Sequence, residues 1–350
     1  MSDDVENAGI AVPAAVDPAP VSSEPDPVSD PDSDPARDTA RAAAPNGLDA
    51  LTPVQIRTLD TLKRTGDPVV FDREMIATLR AEMRAALDHF ALRLDGDTEL
   101  WLSKHKIASV LDCEEHHLVP GDFTWSPANA AGTIAHRAIQ LLLNWRGETT
   151  PIDLVEESMA RLADEERGIG QWIDSLSPGD DADVRGHAVE RVSRFVEDFP
   201  PMSKRWNPMT ESTVRWPNSG PIVLSGKVDL VFGRPSGTES RKVIIDLKTG
   251  RPRPQHRQDL AFYALLETLA REVPPRKVAT FYLDASEAHA DDVTERLLNS
   301  AVRRTLDGIN ATIELAEGRP PVRRAGVSCR WCPLSASCDE GRAYLARSDD

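Results

Sequence analysis

Residues 223–250 read VLSGKVDLVFGRPSGTESRKVIIDLKTG. Two runs within it, 223–233 and 241–248, are rich in Val, Ile, Leu and Phe, and the Gly/Ser/Pro segment between them has the chemistry of a turn. The spacing predicts two strands joined by that turn. Side chains two apart on a strand share a face, so Asp246 and Lys248 project together while Leu247 points into the core. If the strands pair as a hairpin, Asp229 comes across from Asp246. Two carboxylates on one face make a hard-oxygen site for Mg²⁺ or Mn²⁺. A lysine beside them orients the attacking water and stabilises developing negative charge. Removing one carboxylate from such a pair should relieve repulsion between like charges. The bland alternative is a surface hairpin with an ordinary salt bridge. Against it stands the cost of desolvating a charged pair at the end of a buried strand.

Outward from this core the period changes. Residues 52–64 and 72–93 have helical periodicity, with Thr52-Pro53 and Asp72 as start signals. Residues 132–145 read as a largely buried helix, and 152–167 and 182–198 as amphipathic ones. Downstream, 256–271 is helical, 276–284 is a strand, and 290–317 is one long helix. This succession implies an α/β fold, a mixed sheet flanked by helices, with a helical N-terminal extension. His136, in GTIAHRAIQ, lies in the first turns of an apolar helix, where a histidine is ordinarily a satisfied core residue. Asp259 and Tyr263 are i and i+4 on one helical face, with Gln258 one step away.

Four pieces in this order resemble the RecB-like exonuclease branch of the PD-(D/E)XK nuclease superfamily. They are Gly132-Thr133…His136, Gly226…Asp229, Asp246-Leu247-Lys248-Thr249-Gly250, and Asp259…Tyr263. The fourth departs from the family pattern, which has glutamine where Asp259 stands. The resemblance covers residues 101–340 and implies a restriction-endonuclease-like fold. It implies Asp229, Asp246 and the Leu247 carbonyl as ligands of Mg²⁺ or Mn²⁺, and His136 as a further ligand or positioner. It gives Lys248 the attacking water and Tyr263 a place in the active site.

The chain has four cysteines, Cys113, Cys329, Cys332 and Cys338, three of them crowded together. That spacing points to a metal or cluster site rather than a disulfide framework. It is similar to the iron–sulfur motif of AddB-type proteins and CRISPR-associated adaptation nucleases, with Cys113 as the distant upstream ligand, 23 residues before His136. The resemblance implies a [4Fe–4S] cluster on four thiolates. The alternative is tetrahedral Zn²⁺ on the same thiolates, or a mixed site drawing on His116. Trp331 lies between two of these cysteines and is expected to pack against the cluster. SGPIVLSGKV looks loosely like a phosphate-binding loop, but five residues separate Gly220 from Gly226 and Val228 follows Lys227, so it is not one.

Charge is unevenly placed. The 350-residue chain carries a net −16, and residues 1–50, with eleven acids and two bases, hold −9 of it. Residues 1–46 contain eight of the 27 prolines, no aromatic residue and only six branched apolar ones, so they are expected to be a disordered acidic tail. Residues 47–100 form the helical N-terminal region and 101–350 the nuclease-like domain closed by the cysteines. Basic residues gather near the motifs: Lys104, Lys106, Arg251, Arg253, Arg257, Arg303 and Arg304 among them. They are equally suited to hold a phosphate backbone or to face solvent. No apolar run is long enough for a membrane span, and the N-terminus has no secretory signal, so a cytoplasmic location is expected.

The leading expectation is a metal-dependent deoxyribonuclease, by resemblance an exonuclease on single-stranded DNA ends, in DNA repair or recombination. The alternative is a non-catalytic nucleic-acid-binding subunit partnering a separate helicase. A third class is a structural zinc protein whose carboxylates are incidental.

Overall fold

The computed structural model describes residues 51–96, 98–119, 124–163 and 168–348. The expected disordered tail, 1–46, lies outside them. In chain order the elements are α1 (Pro53–Leu62), β1 (Val69–Val70), α2 (Arg73–Ala91), β2 (Leu100–Leu102), α3 (Lys104–Asp112), α4 (Glu114–Leu118), α5 (Pro127–Asn144), α6 (Pro151–Ala163), α7 (Ile169–Asp174) and α8 (Pro178–Asp198). Then follow β3 (Met209–Trp216), β4 (Ile222–Phe232), β5 (Glu239–Ser240), β6 (Val243–Lys248), α9 (Pro254–Arg271), β7 (Lys277–Tyr282), β8 (Glu287–Asp292), α10 (Glu295–Ala316) and α11 (Asp339–Ser348).

The quoted stretch forms the centre of the sheet. β4 pairs antiparallel with β3 along one edge, from Met209 opposite Val231 to Trp216 opposite Leu224. Its other edge is shared by two strands. β2 runs parallel to Ile222–Leu224, and β6 runs antiparallel to Leu230–Phe232. Between them, residues 225–229 of β4 carry no strand on that edge. The sheet continues from β6 to β7 in parallel and from β7 to β8 antiparallel, giving the order β2-β4-β6-β7-β8. It is a mixed sheet flanked by helices, the architecture of the restriction-endonuclease-like fold.

Both faces of β6 are covered, which is why VIIDLK reads as a nearly continuous apolar run. Ile244 packs with Leu265 and Leu266 of α9, Ile309 of α10 and Met83 of α2. Its neighbour Ile245 faces the opposite layer, with Ile139 of α5, Phe195 of α8, Phe199 and Phe281. The Phe199 and Phe281 rings meet edge to face at 5.1 Å between centroids, a contact worth about 1 kcal/mol beyond its buried area. α2 buries Ile76, Leu79, Met83 and Leu87 in the same core as the sheet.

Three strands of this sheet were hidden from sequence patterning, as were β1 and β5, which pair in a separate two-stranded sheet. β3 is half polar, and β2 is only three residues long. β8, EAHADD, is an edge strand whose Ala288 and Ala290 touch the core while the residues between them meet solvent. Residues 290–292, expected in the long helix, belong to β8, and α10 begins at Glu295 after the Thr294 cap. Among the described residues, no helix is long and apolar enough to cross a membrane.

Candidate active site

The expected residues gather at the gap in β4's edge. The register that places Leu230 opposite Ile245 brings Asp229 and Asp246 to the next position, where the two strands part. There the Leu247 N–H donates to Asp229 Oδ2 at 2.8 Å, so the carboxylate takes the place of a backbone acceptor. His136, on α5, puts Nδ1 3.6 Å from Asp229 Oδ1. Burial would raise the Asp229 pKa, but His136, the Leu247 N–H and Lys248 overcome it and hold the carboxyl at about 2. Gly132 of the same helix faces Thr249, just beyond Lys248, at ordinary contact distance.

Asp246 is 1% exposed and lies between two ammonium groups. Lys104 Nζ donates to its Oδ1 at 2.9 Å. Lys248 Nζ is 2.6 Å from Oδ2. That second contact is an ion pair outside hydrogen-bond alignment, so among the described residues Oδ2 is held by charge alone. A buried carboxylate oxygen in that condition is suited to a hard cation. The donor set of Asp229, Asp246 and a backbone carbonyl fits Mg²⁺ or Mn²⁺. No cluster of three or more His, Cys, Asp or Glu side chains forms a ready metal-ligand set among the described residues.

Lys104 was expected only as one of the basic residues near the motifs, facing a phosphate backbone or solvent, and not as a partner of Asp246. It is the first residue of α3, positioned by the Ser103 cap directly after β2, and it is 8% exposed. Besides Asp246 it lies 3.7 Å from Asp259 Oδ2 and 4.6 Å above the centre of the Tyr263 ring. Burial works to discharge it, but Asp246 and then Asp259 dominate and raise its pKa above the ordinary lysine value. The one available signal was electrostatic: a lysine in the first turn opposes the helix dipole and needs compensation. The departure at Asp259 thus has a local partner, since the acid that replaces glutamine faces a buried lysine.

Tyr263 is held for structural work. Its hydroxyl donates to the Lys227 carbonyl at 2.6 Å, on the stretch of β4 that lacks a neighbouring strand. Its ring packs on Gly226, where an added Cβ would lie 2.7 Å from Cε1. Burial raises its pKa further above the ordinary phenol value, so it stays a neutral donor. Gly226 is therefore demanded by a close approach rather than by turn geometry.

The four cysteines are free thiols that line one cavity of about 90 Å³, together with His116. Cys113 ends α3 and also precedes α4. The Gly326 N–H donates to Cys329 Sγ at 3.4 Å and the Gly341 N–H to Cys338 Sγ at 3.3 Å. The four thiols share this cavity with Arg323 and Arg324, but among the described residues they do not form a ready metal-ligand set. The ends of the domain are already joined there by Glu114. Only 2% exposed, it accepts from Arg319 Nη1 at 2.9 Å and from the Val322 N–H at 2.8 Å. The Arg319 hydrogen bond is the chief reason its pKa is lowered. Trp331, expected against the cluster, is instead 55% exposed and does not line the cavity.

Comparison with known proteins adds the family. No curated protein matches the chain. Among solved structures, SSO0001 is similar at 17% identity over 59% of this chain and 94% of its own, with a TM-score of 0.29. A Eubacterium rectale protein described as a candidate exonuclease is similar at 14% identity over 69% of this chain and 87% of its own, with a TM-score of 0.37. The sequence matches the family model of the PD-(D/E)XK nuclease superfamily over residues 102–339, a span that begins at the strand before Lys104 and ends just past Cys338. With more than half its length matched, and with mixed sheet and paired carboxylates in place, the chain belongs to the PD-(D/E)XK nuclease superfamily.

Proposed function

We propose that the protein is a metal-dependent deoxyribonuclease that hydrolyses phosphodiester bonds, acting as an exonuclease on single-stranded ends. Its role would lie in DNA repair or recombination, beside a separate helicase. The observation that carries the reading is Asp246, buried opposite Asp229 with its Oδ2 engaged, among the described residues, only through the Lys248 cation. Asp229, Asp246 and the Leu247 carbonyl hold Mg²⁺ or Mn²⁺ in this reading, with His136 fixing Asp229. The metal, when bound, supplies a water of lowered pKa and offsets charge on the phosphate. Lys248, at the open end of β6, orients the water and meets the phosphate oxygens. Lys104 holds Asp246 Oδ1 so that Oδ2 faces the gap. Tyr263 keeps the β4 edge in place and supports Lys104.

The cysteines carry a [4Fe–4S] cluster in this reading, with Zn²⁺ as the alternative on the same thiolates. Their task is structural, tying α3 to the C-terminal segment. Labelled single- and double-stranded DNA tested with EDTA, Mg²⁺ and Mn²⁺ checks the assignment. Cleavage should require a divalent ion, favour single-stranded ends and vanish in Asp246→Asn. Cleavage in EDTA, or full activity in Asp246→Asn, would refute it.

A further inference from the structure

The Lys248 end of β6 opens toward an aromatic and basic surface that no motif of the family accounts for. Lys248 sits in register with Tyr282 on β7. The Tyr282 hydroxyl is 3.0 Å from His256 Nδ1 on α9, and its ring meets His289 edge-on at 5.2 Å. Tyr282 and His289, with Arg253 and Arg257, line an open cleft of about 380 Å³. Arg253, immediately before α9, lies over the Trp331 ring at 5.7 Å. Trp331 comes from the distant Cys329–Cys332 segment and leaves more than half its surface in water.

Neither half of this pair is explained by folding. An exposed cation–π contact is worth about 0.5–1 kcal/mol, and an indole this exposed gains little from burial. Arg251, Arg253 and Arg330 are all exposed and none has a carboxylate partner among the described residues. In a chain of net charge −16, uncompensated arginines beside a bare indole next to the active-site strand suit a ligand with a polyanionic backbone and flat apolar faces. Single-stranded nucleic acid has both.

We propose that Trp331 and Arg253 form a stacking platform for an unpaired base of the substrate strand, beside the cleft lined by Arg253 and by Tyr282, the register neighbour of Lys248. Arg253 and Arg251 meet the adjoining phosphates, and Trp331 stacks the base. The cysteine site thereby acquires a second duty, since Cys329 and Cys332 hold the indole in place. The inference rests on the nuclease reading, and it adds to it the means by which a single strand is preferred to a duplex, whose bases are already stacked.

The test is binding of oligothymidylate, an abasic oligomer of equal length and a duplex, in Ca²⁺ to suppress cleavage, across a salt series. Wild-type protein should prefer oligothymidylate to the abasic strand. Trp331→Ala should weaken oligothymidylate binding by about 5- to 100-fold, abolish that preference and leave the salt slope unchanged. Trp331→Phe should retain most of the affinity, and Trp331→Leu should behave like Ala. Arg253→Gln should lower the salt slope by about one. Unchanged iron or zinc content in the Trp331 variants shows that the cysteine site is intact. Wild-type-like binding by Trp331→Ala, or full recovery by Leu, would overturn the platform. If wild-type protein bound none of the three nucleic acids, the nuclease reading itself would fall.

Discussion

Asp246→Asn in metal-free protein should lower stability, although relief of like-charge repulsion alone would raise it. The direction is set by Asp246's neighbours. Lys104 Nζ, 8% exposed, is 2.9 Å from Oδ1, and Lys248 Nζ is 2.6 Å from Oδ2. The charge of Asp229 is engaged by His136 and the Leu247 N–H. The substitution therefore removes attraction to two cations rather than repulsion from one anion. Breaking a buried pair by deleting one partner costs about 3–5 kcal/mol. Asp259 remains 3.7 Å from Lys104 and Lys248 is partly solvated, so the loss should fall at the lower end, about 2–3 kcal/mol. Urea titration in EDTA, followed by circular dichroism, measures it. Lys104→Met alone should also destabilise, but the double variant should recover much of the loss, because an apolar side chain replaces the stranded ammonium. Wild-type or greater stability in Asp246→Asn would refute the reasoning and restore carboxylate repulsion as the dominant effect.

The Asp229 carboxyl, held at about 2 in the fold against about 3.9 unfolded, contributes about 2 kcal/mol. Because the folded value is the lower one, this contribution is complete above about pH 5 and disappears as pH falls through about 2. The stability gap between wild type and Asp229→Asn, taken from urea midpoints of metal-free protein, should shrink across that window. A gap independent of pH would contradict the His136 pairing. Gly226→Ala places a Cβ 2.7 Å from Tyr263 Cε1 and 3.2 Å from Leu266 Cδ2. It should cost about 1–3 kcal/mol in thermal melts and lower activity by shifting Tyr263 from beneath Lys104. Cys332→Ser should lose the iron or zinc measured in anaerobically purified protein and make the C-terminal segment sensitive to limited proteolysis. Retained metal would remove Cys332 from the ligand set.

The centre of the sheet and the acidic pair were legible because local sequence encodes them. An apolar run covered on both faces, broken by D-x-K, carries its own register. Lys104 was not legible, since a lysine at a helix start looks like any surface cation until β2 docks it against β6, 142 residues away. Tyr263 was found for its spacing, yet its hydroxyl serves a backbone carbonyl that only the missing strand neighbour exposes. β8 escaped because an edge strand facing water has no need of an apolar pattern on both sides. The Trp331 environment was misread for a similar reason. Adjacency to two cysteines in sequence places it near their cavity, but a residue between two inward-pointing neighbours can point out.

The site's partners are widely spaced along the chain, and that bears on its synthesis. Lys104 precedes Asp246 by 142 residues, which at ordinary elongation rates leaves it without its main partner for roughly 7–28 s. Cys113 and Glu114 wait longer still, for Arg319 and the residues that follow it. On the ribosome the Lys104–Asp246 pair cannot form until the chain has been made through β6, and the Glu114–Arg319 pair not until after α10. The order in which the parts are made thus sets the order in which these buried contacts can close.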